Sequence, residues 1–191
     1  SIPSQKISYE GKVVESVQVD NATEGLYEIE KLEFEAGRFF NEQESTNGVP
    51  VAIIGSVLRD NLFGEGVDPI GKQIKTLSRK FTIIGVLKKQ GINAFGDSKD
   101  EKIVIPVNII RRIYGDNNRS TFPTMTIVPA EGEDADEFYA VAEQKMRVGR
   151  SIKAGETSDF FINRLSGFTD AIDGIIGVLT TVGWLIGGFA L

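Results

Sequence analysis

The chain has 191 residues, 41% hydrophobic and 25% charged, a composition that suits one full core or two small lobes of a globular protein. A formal net charge of −6 argues against nucleic acid as a partner, because phosphates demand a basic face. With no cysteine and no histidine, disulfides, thiol nucleophiles, the common zinc sites and Ser-His-Asp catalysis are excluded.

Residues 1–11 are polar and predict a frayed start, and no signal peptide is expected among them. The valine-rich stretch 12–20 (KVVESVQVD) predicts a strand. Asp20, Asn21 and Thr23 offer capping oxygens to a short helix reaching Lys31. Apolar and acidic residues alternate over 32–35, a strand with one wet face, closed by Gly37-Arg38-Phe39-Phe40 and followed by a polar loop, 41–48. The continuous run Val51-Ala52-Ile53-Ile54-Gly55 predicts a strand buried on both faces. Ser56 can cap a helix over 57–63 that Gly64 ends. After a turn-rich segment, 65–72, strands are expected at 73–77 and 80–89, joined by a tight hairpin at Ser78-Arg79. A loop over 91–101, a strand over 102–106 stopped by Pro106, a helix over 107–114 and a polar linker over 116–120 come next.

A strand in β-branched residues is expected over 124–128. Residues 133–148 carry the strongest helical pattern, with acidic residues at the start, Lys145 and Arg147 at the end, and an apolar stripe of Phe138, Val141, Ala142 and Met146. A last strand is expected over 158–163, with the chain turning helical from Arg164. It then runs into residues 174–191 (GIIGVLTTVGWLIGGFAL), eighteen residues without a charge and close to the length that crosses a bilayer. A buried helix of a soluble protein is the alternative this length permits. Gly183 and Gly187, spaced G-x-x-x-G, form a candidate helix contact. Five glycines in the run, each unfavourable by about 1 kcal/mol in a water-soluble helix, favour the membrane.

Residues 66–72 fit G-x-x-x-x-G-K, but Gln73 stands where a phosphate loop requires a hydroxyl for magnesium. The segment also leaves a predicted helix, carries Pro69 and enters a strand, so Asp68, Pro69, Gly71 and Lys72 are read as a structural turn. Acidic residues over 131–137 lack calcium-loop spacing and suit the positive end of a helix. Glu42, Glu44, Asp97, Asp100 and Glu101 are loop carboxylates that nothing pairs for acid-base chemistry. Arg79, Lys80, Lys88 and Lys89 flank one strand, where they would guard a sheet edge or bind an anionic lipid or ligand. No catalytic residue, bound cofactor or metal ligand is expected, and the chain is read as non-enzymatic.

The ordered series Gly37-Arg38-Phe39-Phe40, 51–55, Leu62-Phe63-Gly64 with 68–72, 81–87 with Gly91, 103–106 and Asp159-Phe160-Phe161-Ile162 resembles the periplasmic core domain of MacB-type (MacB/FtsX/LolC-like) ABC transporter permeases. The resemblance implies an α+β, two-lobed extracytoplasmic domain on the periplasmic side of the cytoplasmic membrane. In it, residues 10–56 with 122–164 form a porter-like βαβ lobe, 57–121 an inserted strand-rich lobe and 165–191 the start of a transmembrane helix. It also implies a homodimeric permease driven by a cytoplasmic ABC ATPase, with ATP bound by a separate subunit or segment. A periplasmic adaptor (membrane fusion protein) and an outer-membrane duct are further partners in some relatives; others extract lipoproteins or regulate cell-wall hydrolases. The alternatives are a membrane-anchored binding or sensor module without an ATPase, and a soluble enzyme using Lys72 with a nucleotide.

Overall fold

The computed structural model describes residues 2–92, 98–115 and 125–163. The chain divides into two units, residues 1–128 and 129–191.

The first unit is organised by strands too apolar to leave any face in water. Strand β4 (Val51–Gly55) is buried at every position. Its residues alternate between two cores: Ala52 and Ile54 join Ile7, Val19, Leu58, Leu62, Phe81 and Ile83, while Val51 and Ile53 join Leu32, Phe39, Phe40 and Leu87. β7 (Ile103–Pro106) does the same, with Ile103 and Ile105 in the first core and Val104 in the second. The period-2 alternation of a strand thus explains a run with no polar residue.

Six strands close into a barrel. β6 (Arg79–Leu87) pairs in parallel with β4, β4 antiparallel with β7, and β7 in parallel with β2 (Lys12–Ala22). β2 then pairs antiparallel with β1 (Ile2–Tyr9), β1 with β5 (Gln73–Thr76) and β5 with β6. The β1–β5 seam rests on one residue pair, Ser8 with Lys75, whereas its neighbours have four or more. β3 (Phe34–Gly37) extends the sheet by pairing with β6 beyond β5. Helices α3 (Ser56–Phe63) and α4 (Val107–Tyr114) add Leu58, Leu62, Ile109 and Ile110 to the first core.

Several sequence expectations are corrected here. Residues 2–9 form β1, anchored by buried Ile2 and Ile7; the register shifts between them hide their alternation. Asp20 and Asn21 belong to β2, and α1 (Leu26–Glu30) starts after Gly25 with no side-chain cap. The polar segment 41–48 contains α2 (Glu42–Thr46), started by a reciprocal capping box between Asn41 and Glu44. Ser56 does not cap α3; the Leu58 N–H instead donates to the Asp100 carbonyl at 3.1 Å. The β5–β6 hairpin turns at Leu77-Ser78, both with positive φ, one residue earlier than expected. The expected division at 56/57 cuts this barrel, which takes β2 and β4 from one side and β5, β6 and β7 from the other.

The second unit contains α5 (Ala135–Gly149), where Asp134 accepts from the Glu137 N–H at 2.9 Å as N-cap. Residues 125–128 and 158–163 are irregular rather than strands, because neither forms a ladder with a strand. The expected span at 165–191, with Gly183 and Gly187, lies outside the described residues. Among the described residues no helix is long and apolar enough to cross a membrane.

Candidate functional site

The turn that follows α3 brings together four residues singled out in the sequence. The Asp68 carboxylate accepts from the Ile70 N–H at 2.9 Å, and the Pro69 carbonyl accepts from the Lys72 N–H at 3.0 Å. Gly71, at φ +80°, aims its N–H at the Ile83 carbonyl at 2.8 Å, and the Ile83 N–H returns to the Lys72 carbonyl at 2.9 Å. Glycine takes that backbone conformation without a Cβ clash. The turn is therefore stitched to β6, with Pro69 buried beneath it. It runs from a helix into β5, so no helix N-terminus faces Lys72, as phosphate binding would require.

The Lys72 ammonium stands 5.2 Å from the Phe63 ring centre and 5.8 Å from that of Tyr9, and the two rings are 4.4 Å apart. Both distances lie within the reach of a cation–π contact. Beside them, over the β1–β5 seam, lies an open groove of about 440 Å³ lined by Ser8, Tyr9, Glu10, Lys72, Gln73, Ile74, Lys75 and Lys80. Burial raises the Tyr9 phenol above its ordinary range, helped by its hydrogen bond to the Glu10 carboxylate and by that charge. A second groove, of about 630 Å³, is lined by Arg79, Arg112, Tyr114 and neighbouring residues of the hairpin turn.

The basic residues of β6 itself, Arg79 and Lys80, lie on the stretch that pairs with β5. That side of β6 goes on to pair with β3, while the other side pairs with β4 only from Thr82 onward. Lys88 is matched by Glu33 at 2.8 Å, which raises the lysine and lowers the carboxyl. Arg79 and Lys80 project beside the two grooves.

Two of the loop carboxylates, Asp100 and Glu44, have separate structural duties; Asp97 lies outside the described residues. Asp100 is buried and accepts from the N–H groups of Gln90 and Gly91, each at 2.9 Å, fastening both ends of the loop between β6 and β7. In the sequence Asp100 reads only as a loop carboxylate, because no residue spacing signals its partners. Glu44 accepts from Asn41 N–H and binds Arg38 through both oxygens at 2.7 and 2.8 Å. The Arg38 bond holds the Glu44 carboxyl below its usual range against the opposing effect of burial. Arg59, largely buried on α3, lies between Glu35 and Asp60, and the Glu35 bond raises its already high pKa. Among the described residues, no three carboxylates group as metal ligands.

In the second unit, the segment after α5 folds back upon it. Arg147 donates to the Ser158 hydroxyl at 2.7 Å and to the carbonyls of Lys153 and Glu156 at 2.8 Å each. Arg150 pairs with Asp159 through two parallel bonds.

The family model described as "MacB-like periplasmic core domain" matches residues 2–145. The chain is 30% identical over 157 residues to the macrolide export ATP-binding/permease protein MacB of Neisseria gonorrhoeae, covering 82% of this chain and 23% of that protein. It is 24% identical over 159 residues to the pyoverdine export ATP-binding/permease protein PvdT of Pseudomonas entomophila, covering 81% of this chain and 24% of that protein. The chain thus spans about a quarter of the length of these relatives. Its fold is similar to the periplasmic region of MacB from Actinobacillus actinomycetemcomitans, with TM-score 0.67 and 14% identity over 90% of this chain and 74% of the other. It is also similar to the extracellular domain of the transporter YknZ from Gram-positive bacteria, with TM-score 0.60 and 22% identity over 80% and 74% of the two chains.

Proposed function

The chain belongs to the family of MacB-like periplasmic core domains, and on that premise we propose that it serves as the extracytoplasmic domain of an ABC transporter permease. The match over residues 2–145 carries this reading. Its non-catalytic character is supported by a chain without cysteine or histidine, in which Glu44 serves a helix cap and Asp100 anchors a loop.

In the proposed device, two permease copies sit in the cytoplasmic membrane with these domains on the periplasmic side. ATP is bound by a cytoplasmic ATPase, as a separate subunit or a fused segment. Its dimerisation moves the membrane helices, which carry the motion outward. The output is export or extraction of a substrate, or action on a periplasmic partner, with an adaptor and an outer-membrane duct as partners in the export branch. A barrel flanked by two apolar cores suits a body that moves as one piece, since packed interiors transmit strain rather than absorb it.

The deciding experiment purifies the full-length protein in nanodiscs and measures ATP hydrolysis together with crosslinking between cysteines placed on two copies of the domain. The expected result is ATP-dependent change in crosslinking, with hydrolysis by a fused or co-purifying ATPase. A full-length protein with neither an ATPase segment nor an ATPase partner overturns the reading and favours a membrane-anchored binding or sensor module.

A further inference from the structure

Lys75 on β5 and Lys80 on β6 lie directly opposite each other in the antiparallel ladder. Side chains in that relation have Cβ atoms about 4.5–5.5 Å apart, and like charges so placed repel. Both are exposed, and among the described residues neither has a carboxylate partner. Lys72 adds a third ammonium to the same groove, held in place from behind by the Tyr9 and Phe63 rings. Glu10 is the one carboxylate in the lining, and it hydrogen-bonds the Tyr9 phenol. Three lysines therefore converge on one concave surface of a chain whose net charge is −6.

A sheet-edge role does not account for Lys75, since β5 is paired with β1 on one side and with β6 on the other at this residue. Nor does an internal ion pair among the described residues. We propose that the groove over the β1–β5 seam is a docking site for an acidic, extended segment of a protein partner, whose carboxylates are received by Lys72, Lys75 and Lys80. Charge complementarity selects the occupant. The groove is open rather than enclosed, so it fits a length of chain better than a small ligand that needs to be surrounded. It presents point-charge ammoniums and no arginine fork for phosphate. Exposed large apolar side chains are missing from its lining, as its one aliphatic residue, Ile74, is fully buried. A membrane-surface site needs such side chains to enter the lipid. Because the rest of the molecule is net acidic, an acidic peptide gains nothing from long-range attraction and is held by local contacts alone.

The inference does not depend on the permease reading, and its test reads binding rather than transport. Fluorescein-labelled hexaglutamate is titrated by anisotropy into the full chain in nonionic micelles. Parallel titrations use inorganic phosphate as competitor and vesicles containing anionic phospholipid. Salt-sensitive peptide binding is expected, weakened at least about tenfold in Lys75→Glu/Lys80→Glu and unchanged within about twofold in Lys89→Glu/Lys145→Glu, which shifts the net charge equally. The single variant Lys75→Glu replaces a repulsive cross-strand pair by an attractive one, so it should keep or raise thermal stability while losing peptide. Equal peptide binding by wild type and both double variants overturns the proposal. So does wild type that binds phosphate or vesicles but not peptide.

Discussion

Arg150 donates from Nε and Nη2 to the two carboxylate oxygens of Asp159, at 2.7 and 2.8 Å. The pair holds the Asp159 carboxyl below its ordinary range and the arginine above its own. A depressed folded pKa means that the pair stabilises the fold-back above the unfolded carboxyl value, about 3.9, and that this contribution is lost as pH falls through the lower folded value. An NMR titration of the Asp159 carboxyl carbon should therefore show a midpoint below about 3.9. A midpoint at or above that value in wild type, or one unmoved by Arg150→Ala, contradicts the pairing. Both side chains are exposed, so the global stability change on Asp159→Asn is expected to be small.

The capping box at the start of α2 offers a larger effect. Asn41 accepts from the Glu44 N–H at 2.8 Å while Glu44 accepts from the Asn41 N–H at 2.9 Å and binds Arg38. Asn41→Ala is expected to lower stability by about 1 kcal/mol, the usual consequence of losing an N-cap. Glu44→Ala should be of similar size, and the double variant less than additive, because the two side chains act on one helix end. Urea unfolding midpoints of the three variants measure this; strict additivity contradicts a shared box.

The sequence made some of this fold readable, and the exceptions have physical causes. β4 and β7 were legible because a strand buried on both faces carries no polar residue to blur it. β1 was hidden because Ile2 and Ile7 are separated by polar residues and by two register shifts. The capping box was present as Asn41 and Glu44 but was overlooked within a polar stretch. The lysine groove was unreadable for a sharper reason. A turn at Ser78-Arg79 would set Leu77 against Lys80, whereas the turn at Leu77-Ser78 sets Lys75 against Lys80. One residue of register decides whether two lysines meet. That turn places two non-glycine residues at positive φ, where asparagine and glycine are the usual signals.

Gly55 closes β4 against the carbonyls of Lys99 and Asp100, which a Cβ at this position would strike. Backbone atoms cannot swing aside as a side chain can. Gly55→Ala should therefore lower stability by about 1–3 kcal/mol or more, as overpacking does. Gly149, the last residue of α5, has open space around its Cβ position. Gly149→Ala should instead strengthen α5 by up to about 1 kcal/mol. Thermal unfolding tests the first, and hydrogen exchange of the α5 amides the second. A silent Gly55→Ala would mean that the β4 end and the 99–100 backbone do not meet.

Asp100 provides the test of how the loop before β7 is held. Its two oxygens take the N–H groups of Gln90 and Gly91, and its own carbonyl takes that of Leu58, joining the end of β6 to the start of α3. Asp100→Ala leaves the first two donors without their acceptor and opens space beside them, with an expected loss of about 1–3 kcal/mol. Asp100→Asn keeps one oxygen acceptor but presents an NH₂ group to the other donor, so two donors would face each other. The asparagine variant should therefore recover little of the loss, even though it matches aspartate in shape. The Leu58 bond uses backbone and should survive in both variants. Hydrogen exchange separates these effects: faster exchange at Gln90 and Gly91 with Leu58 unchanged is expected. Full protection at Gln90 and Gly91 in Asp100→Ala would show that something other than this carboxylate fastens the loop.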